Sequence, residues 1–92
     1  MQINLYATFR LIAGQGSLEI NLPPGTTARQ AVAAVLDQAP DLRSHWVNAQ
    51  GEIHAHVHGF INGHEIPTLE HGWETVLQPD DVLDFIPPVA GG

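Results

Sequence analysis

Ninety-two residues, 43% of them apolar, suit one small domain with a packed core and leave no room for a second. A formal charge of −7, with Arg10, Arg29 and Arg43 as the only basic residues besides histidine and no lysine, argues against direct binding to nucleic-acid backbones or anionic membranes. No apolar run approaches the length of a membrane span, and the absence of cysteine fits a cytoplasmic protein whose chemistry uses no side-chain thiol of its own.

Met1-Gln2-Ile3-Asn4 lacks a basic region followed by an apolar run, so no signal peptide is expected. Residues 2–9 alternate, with Ile3, Leu5, Ala7 and Phe9 on one side, which predicts a half-buried strand. Residues 10–16 carry two glycines and are expected to form a loop. Residues 17–22 alternate again through Leu18, Ile20 and Leu22, and the two strands should pair as a hairpin. Pro23-Pro24-Gly25 ends the second strand. Thr27 reads as a helix N-cap, with Gln30 completing a capping box. Ala28, Ala31, Val32, Val35 and Leu36 then recur at helical spacing, and Pro40 stops the helix near Gln38.

A short helical turn over residues 40–47 would bring Leu42 and Trp46 inward, and Asn48-Ala49-Gln50-Gly51 reads as a turn. Residues 52–62 alternate as a third strand. Ile53, Ala55, Val57, Gly59 and Ile61 share one face; His54, His56, His58 and Phe60 share the other. Asn62-Gly63 is a strong hairpin signal into a short fourth strand at residues 64–66. Residues 68–77 are irregular, with Leu69, Trp73, Val76 and Leu77 available to cap the core. Gln78-Pro79-Asp80-Asp81 is a turn, and residues 82–86 form the last strand with Leu83 and Phe85 inward, Asp84 and Ile86 outward. The order predicts an α+β fold: a mixed sheet of about five strands packed on one main helix, the other sheet face left to partners.

The domain is expected over residues 1–86, followed by a tail at 87–92, Pro87-Pro88-Val89-Ala90-Gly91-Gly92. Two prolines hold the tail extended, Val89 and Ala90 are small, and Gly91 and Gly92 have no Cβ, so the tip can enter a narrow slot. Its reactive group would be the Gly92 carboxylate, a poor electrophile until activated. A frayed, inert terminus is the alternative.

Four segments then occur in one order and spacing: Tyr6-Ala7-Thr8-Phe9-Arg10, Leu22-Pro23-Pro24-Gly25-Thr26-Thr27, His56-Val57-His58-Gly59-Phe60-Ile61-Asn62-Gly63, and Asp80-Asp81-Val82 running on to Gly91-Gly92. Together they resemble the ubiquitin-like sulfur carriers, which include the small subunit of molybdopterin synthase, the thiamine-biosynthesis carrier, and carriers for cysteine synthesis and tRNA thiolation. The resemblance implies a β-grasp fold and a mechanism. A ubiquitin-activating-like adenylyltransferase would use ATP to adenylate Gly92, and a sulfur donor would displace AMP to leave a thiocarboxylate. A large synthase subunit or another acceptor enzyme would then take the sulfur.

On that resemblance the chain is a carrier and not itself an enzyme, and it holds no cofactor. Gly92 is the acyl site, with Gly91, Ala90 and Val89 giving access. Phe60 and Ile86, beside His58, form a small apolar partner patch. The chain departs from the family's frequent Asn and Val at His58 and Gly59. The Pro-Pro-Val-Ala-Gly-Gly ending favours the molybdopterin synthase small subunit. The other carrier pathways, and a ubiquitin-like modifier joined through Gly92 to lysines, remain open.

His54, His56 and His58 would lie roughly 7 Å apart along one strand face. Three imidazoles are a metal-ligand set in kind, with Asp84 as a fourth candidate, but a flat strand spreads them, so solvent-facing histidines beside the partner patch are the preferred reading. Asp80-Asp81 follows Pro79 in a turn and is read as turn chemistry. Gly14-Gln15-Gly16 lacks the lysine and following helix of a phosphate loop. Trp46 and Trp73 are read as packing residues.

Overall fold

The computed structural model describes residues 1–88. Five strands form one mixed sheet: β1 (Gln2–Leu5), β2 (Ser17–Glu19), β3 (His58–Ile61), β4 (His64–Glu65) and β5 (Val82–Ile86). Their order is β2-β1-β5-β3-β4. β1 and β5 run parallel at the centre, and the flanking pairs are antiparallel. The helices are α1 (Ala7–Ala13), α2 (Ala28–Gln38) and α3 (Arg43–Trp46).

α2 is the main helix, and its sequence explains its limits. Thr27 accepts a hydrogen bond from the Gln30 amide while the Gln30 side chain accepts from the Thr27 amide, a complete capping box. Ala28, Ala31, Val32, Val35 and Leu36 are its buried stripe. They meet Ile3, Leu5, Leu83 and Phe85 from the sheet in a single core. Trp46, at the end of α3, is fully buried, with Phe9 edge-on at 5.4 Å and Phe85 tilted at 4.6 Å between ring centroids.

The second strand ends at Glu19 and not at Leu22, and two further stretches differ more from the sequence expectation. The first strand stops at Leu5, and residues 7–13 form α1 instead of strand and loop. Ala7, at φ +50°, breaks the extended run, and Gly14, at φ +77°, closes the helix in the left-handed conformation that glycine adopts without a Cβ penalty. Phe9 therefore reaches the core from a helix. The third strand is also shorter than residues 52–62. Only residues 58–61 join the sheet; Ile53 makes one isolated bridge to Val47, and residues 54–57 turn, the Val57 amide donating to the His54 carbonyl at 3.1 Å. The partner strand sets this limit. β5 ends at Ile86 opposite His58, and the next residue, Pro87, has no N–H to extend the ladder.

A smaller difference concerns the segment before β5. Leu77 is buried and Leu69 and Trp73 pack on the core as expected, but Val76 is exposed. The segment is tied to the start of α2 by backbone bonds from Ala28 N–H to Thr75 and from Leu77 N–H to Thr26. Trp73 fills the space that a side chain at position 59 would take. A Cβ on Gly59 would lie 2.8 Å from the Trp73 ring and 3.1 Å from the Phe85 ring. This close approach accounts for glycine at the position where the resemblance leads one to expect valine.

Candidate functional site

The sheet face away from α2 carries the alternate residues of each strand, because successive side chains point to opposite faces. The register places Ser17, Asn4, Asp84, Phe60 and Glu65 in one row across all five strands. The next row sets Ile86 against His58. Phe60 and Ile86 are thus diagonal neighbours on adjacent strands, roughly 7–8 Å apart by that geometry. Both are half-buried, and with His58 they form the patch expected from the sequence.

Asp84 sits in the middle of this face. Its Oδ1 accepts from Asn4 Nδ2 at 2.9 Å and from the Tyr6 hydroxyl at 3.1 Å. Gln2 Nε2 donates to Asn4 Oδ1 at 2.9 Å, which fixes the Asn4 amide in turn. The hydrogen bond to Asp84 is the main cause that raises the Tyr6 phenol above its ordinary value of 10.0, with burial and the carboxylate charge adding to it. Tyr6 is the only tyrosine, so a spectrophotometric titration reads it alone. Its midpoint is expected above 10 and is expected to fall toward 10 in Asp84→Asn. Because the folded value is the raised one, this contact stabilises the fold fully below about pH 10 and is lost as pH rises through the folded value. A wild-type midpoint at or below 10 would contradict the contact.

The tail leaves beside this cluster. The Tyr6 amide donates to the Phe85 carbonyl at 3.2 Å, so the ends of β1 and β5 are held together. Pro87 is buried and Pro88 exposed. Since β1 and β5 are parallel, α1 lies at the same end of the sheet as the tail, and its Leu11 is the most exposed of the large apolar side chains there, at 78%. Val89, Ala90, Gly91 and Gly92, the expected acyl site and its approach, lie outside the described residues.

The histidine row does not form. Only His58 is on a strand. His54 and His56 lie on the turn, their rings stacked at 5.0 Å and 16°. Nearly parallel rings direct their nitrogen lone pairs along nearly parallel planes, which do not converge on one ion. His56 Nε2 lies 3.1 Å from the His45 carbonyl, so that nitrogen carries its proton. His58 Nδ1 lies 3.4 Å from Glu65 Oε2, and Asp84 is engaged by Asn4 and Tyr6. Among the described residues, no group of three or more His, Asp or Glu is placed to hold a metal ion. Asp81 serves the turn, as expected, accepting from the Gln78 amide and from Asn62 Nδ2, each at 2.8 Å.

The alternation of residues 2–9 puts Asn4 and Tyr6 on the side opposite Ile3 and Leu5, and that of residues 82–86 puts Asp84 outward, but neither pattern joins the three. The signal was present in the alternation of the two strands, but the parallel pairing of β1 with β5, which spans 80 residues, was needed to bring them together. Leu11 was hidden by the loop assignment.

Comparison with known proteins agrees with this arrangement. Small archaeal modifier protein 3 of Haloferax volcanii is 29% identical over 92 residues, covering 100% of this chain and 98% of that protein. The crystal structure of SAMP1 from Haloferax volcanii superposes with a TM-score of 0.90 at 24% identity, covering 99% of this chain and 97% of that one, and so shares the fold. A Pyrococcus furiosus protein, provisionally described as molybdopterin converting factor, subunit 1, superposes with a TM-score of 0.75 at 25% identity, covering 96% and 95%. The fold is β-grasp. The family profile described as ThiS matches residues 3–92, and the chain belongs to that family of small ubiquitin-like sulfur carriers and modifiers.

Proposed function

We propose that the chain is a cytoplasmic sulfur carrier whose Gly92 carboxylate is adenylated and then converted to a thiocarboxylate. One observation carries this reading. In a member of the ThiS family, the half-buried Phe60–Ile86 patch lies at the same end of the sheet from which the chain leaves toward Gly91-Gly92. A partner that covers the patch is therefore placed to receive the tail.

In the first step a Gly92 carboxylate oxygen attacks the α-phosphorus of ATP and pyrophosphate leaves. In the second a sulfur donor attacks the acyl carbon and AMP leaves; with sulfide as donor, the products are the thiocarboxylate, AMP and a proton. Both active sites belong to partner enzymes: a ubiquitin-activating-like adenylyltransferase for charging and an acceptor enzyme for delivery. The carrier supplies position, and holding the acyl carbon against its reaction partner is worth several orders of magnitude in rate.

Within this reading the favoured acceptor is the large subunit of molybdopterin synthase, supported by the Pro-Pro-Val-Ala-Gly-Gly ending and by the similarity to the Pyrococcus furiosus protein. The thiamine, cysteine and tRNA-thiolation pathways use the same carrier chemistry. A second reading, conjugation of Gly92 to lysines of target proteins, is favoured by the similarity to small archaeal modifier protein 3. Its acceptor is an amine in place of a sulfur-accepting molecule.

Adenylation is tested by exchange of labelled pyrophosphate into ATP, using the adenylyltransferase of the same organism. Exchange that depends on added carrier is expected. No exchange with an enzyme that is active on another carrier would overturn the proposal. Conjugation is tested separately, by a ladder of higher-mass adducts in cells that disappears when Gly92 is deleted.

A further inference from the structure

The outer sheet face carries three carboxylates, and they are not equivalent. Glu19 takes the Met1 ammonium at 2.9 Å. Glu65 has His58 beside it at 3.4 Å. Asp84 is held only by neutral donors, Asn4 and Tyr6, and both bind the same oxygen, Oδ1. Its Oδ2 accepts no hydrogen bond among the described residues. The three arginines are all on helices, Arg10 on α1, Arg29 on α2 and Arg43 on α3, and Arg29 is paired with Glu74. Asp84 is therefore the carboxylate on this face with no cationic partner among the described residues.

Its position makes this consequential. Asp84 is directly opposite Phe60 in the β3–β5 register and two residues from Ile86 on β5. Directly opposed side chains stand about 5 Å apart at Cβ. A protein that covers Phe60 and Ile86 cannot leave Asp84 in water. Covering a carboxylate without a compensating donor is strongly unfavourable, whereas a charge-assisted hydrogen bond offsets the loss of water.

We propose that Asp84 Oδ2 receives an arginine guanidinium from the adenylyltransferase that docks on the Phe60–Ile86 patch, and so sets which partners can seat there. The inference rests on the carrier reading. A guanidinium fits better than an ammonium for two reasons. Its planar fork bonds a carboxylate edge, and its face stacks on an aromatic ring, which Phe60 and the exposed Tyr6 supply on either side. The Gln2–Asn4–Asp84–Tyr6 relay keeps the carboxylate oriented before the partner arrives, so little ordering is required at docking. A partner lacking the cation is rejected by the buried charge, which is specificity by repulsion as well as attraction.

The test compares binding of the same organism's adenylyltransferase to wild type, Asp84→Asn and Tyr6→Phe across a salt series, with pyrophosphate exchange measured alongside. Asp84→Asn is expected to weaken Kd by about tenfold to a hundredfold at low salt, as for other close interfacial charge pairs, and to flatten its salt dependence. Tyr6→Phe keeps the charge and loses one orienting donor, so a smaller loss with the salt dependence retained is expected. The wild-type salt series is an independent readout that needs no variant to fold: a Kd insensitive to salt overturns the proposal. Wild-type exchange together with equal Kd and equal salt dependence in Asp84→Asn overturns the Asp84 assignment alone. Neither binding nor exchange by wild type overturns the carrier reading and this inference with it.

Discussion

Deletion of Gly92 is expected to abolish adenylate formation while leaving the thermal midpoint unchanged. The shortened chain still ends in a glycine carboxylate, so the chemistry of the group is preserved and only its reach is altered. One residue of extended chain is about 3.5 Å. Misplacement of a reacting atom by even about 1 Å costs on the order of a hundredfold, so a deficit several times larger should leave no measurable exchange. Stability should not follow, because Gly92 has no side chain to contribute to a core, and among the described residues the core cluster runs from Ile3 to Phe85. Pyrophosphate exchange and a thermal melt of the same sample check both halves. A variant that is charged at the wild-type rate, or one that melts several degrees lower, would contradict this account of the tail.

The second large effect is expected in the core. Trp46 is fully buried and joins Phe9, from α1, to Phe85, from β5. Trp46→Ala would remove the contact between the helix that flanks the tail exit and the strand that leads into it. A loss of about 3–5 kcal/mol is expected for such a cavity. For a domain whose whole stability is on the order of 5–15 kcal/mol, that is a large fraction. The thermal midpoint should fall by at least about 12 °C. Trp46→Phe is expected to cost much less. The indole Nε1 is buried without a hydrogen-bond partner among the described residues, so the smaller ring loses packing but also removes an unsatisfied donor, itself unfavourable by about 1–3 kcal/mol. Chemical denaturation of the two variants checks the order. Both variants lose the indole N–H, so the difference between them reads the packing that the phenyl ring keeps against Phe9 and Phe85; equal losses would contradict that packing account.

Where local chemistry decides conformation, the structure was legible in advance. Thr27 and Gln30 announced the start of α2, and its stripe of Ala28, Ala31, Val32, Val35 and Leu36 is the buried one. Asn62-Gly63, at φ +51° and +84°, makes the tight turn between β3 and β4. The alternation of residues 82–86 gave the correct inward and outward sides of β5.

Expectation failed where a distant partner decides. Ile3, Leu5, Ala7 and Phe9 satisfy a period of two, yet Phe9, Ile12 and Ala13 also satisfy helical spacing ahead of Gly14. The choice went to the helix, which carries Phe9 onto Trp46. Residues 53–57 alternate as well as any strand in the chain, but β5 has no length left to pair with them. The histidine row was an expectation built on that missing strand, and it fell with it. Phe60 and Ile86 are neighbours, as expected, because they lie in the paired parts of β3 and β5, whereas the Asp84 cluster required a pairing between the two ends of the chain that no local pattern encodes.

The central claim is that the Gly92 carbonyl carbon is the atom on which the chemistry takes place. Intact mass after incubation with ATP, the adenylyltransferase and a sulfide source tests it most directly. Replacement of oxygen by sulfur at the activated acyl carbon should add about 16 Da to the wild-type chain and nothing to the chain lacking Gly92. An unchanged wild-type mass in the presence of an enzyme that forms thiocarboxylate on another carrier would contradict it.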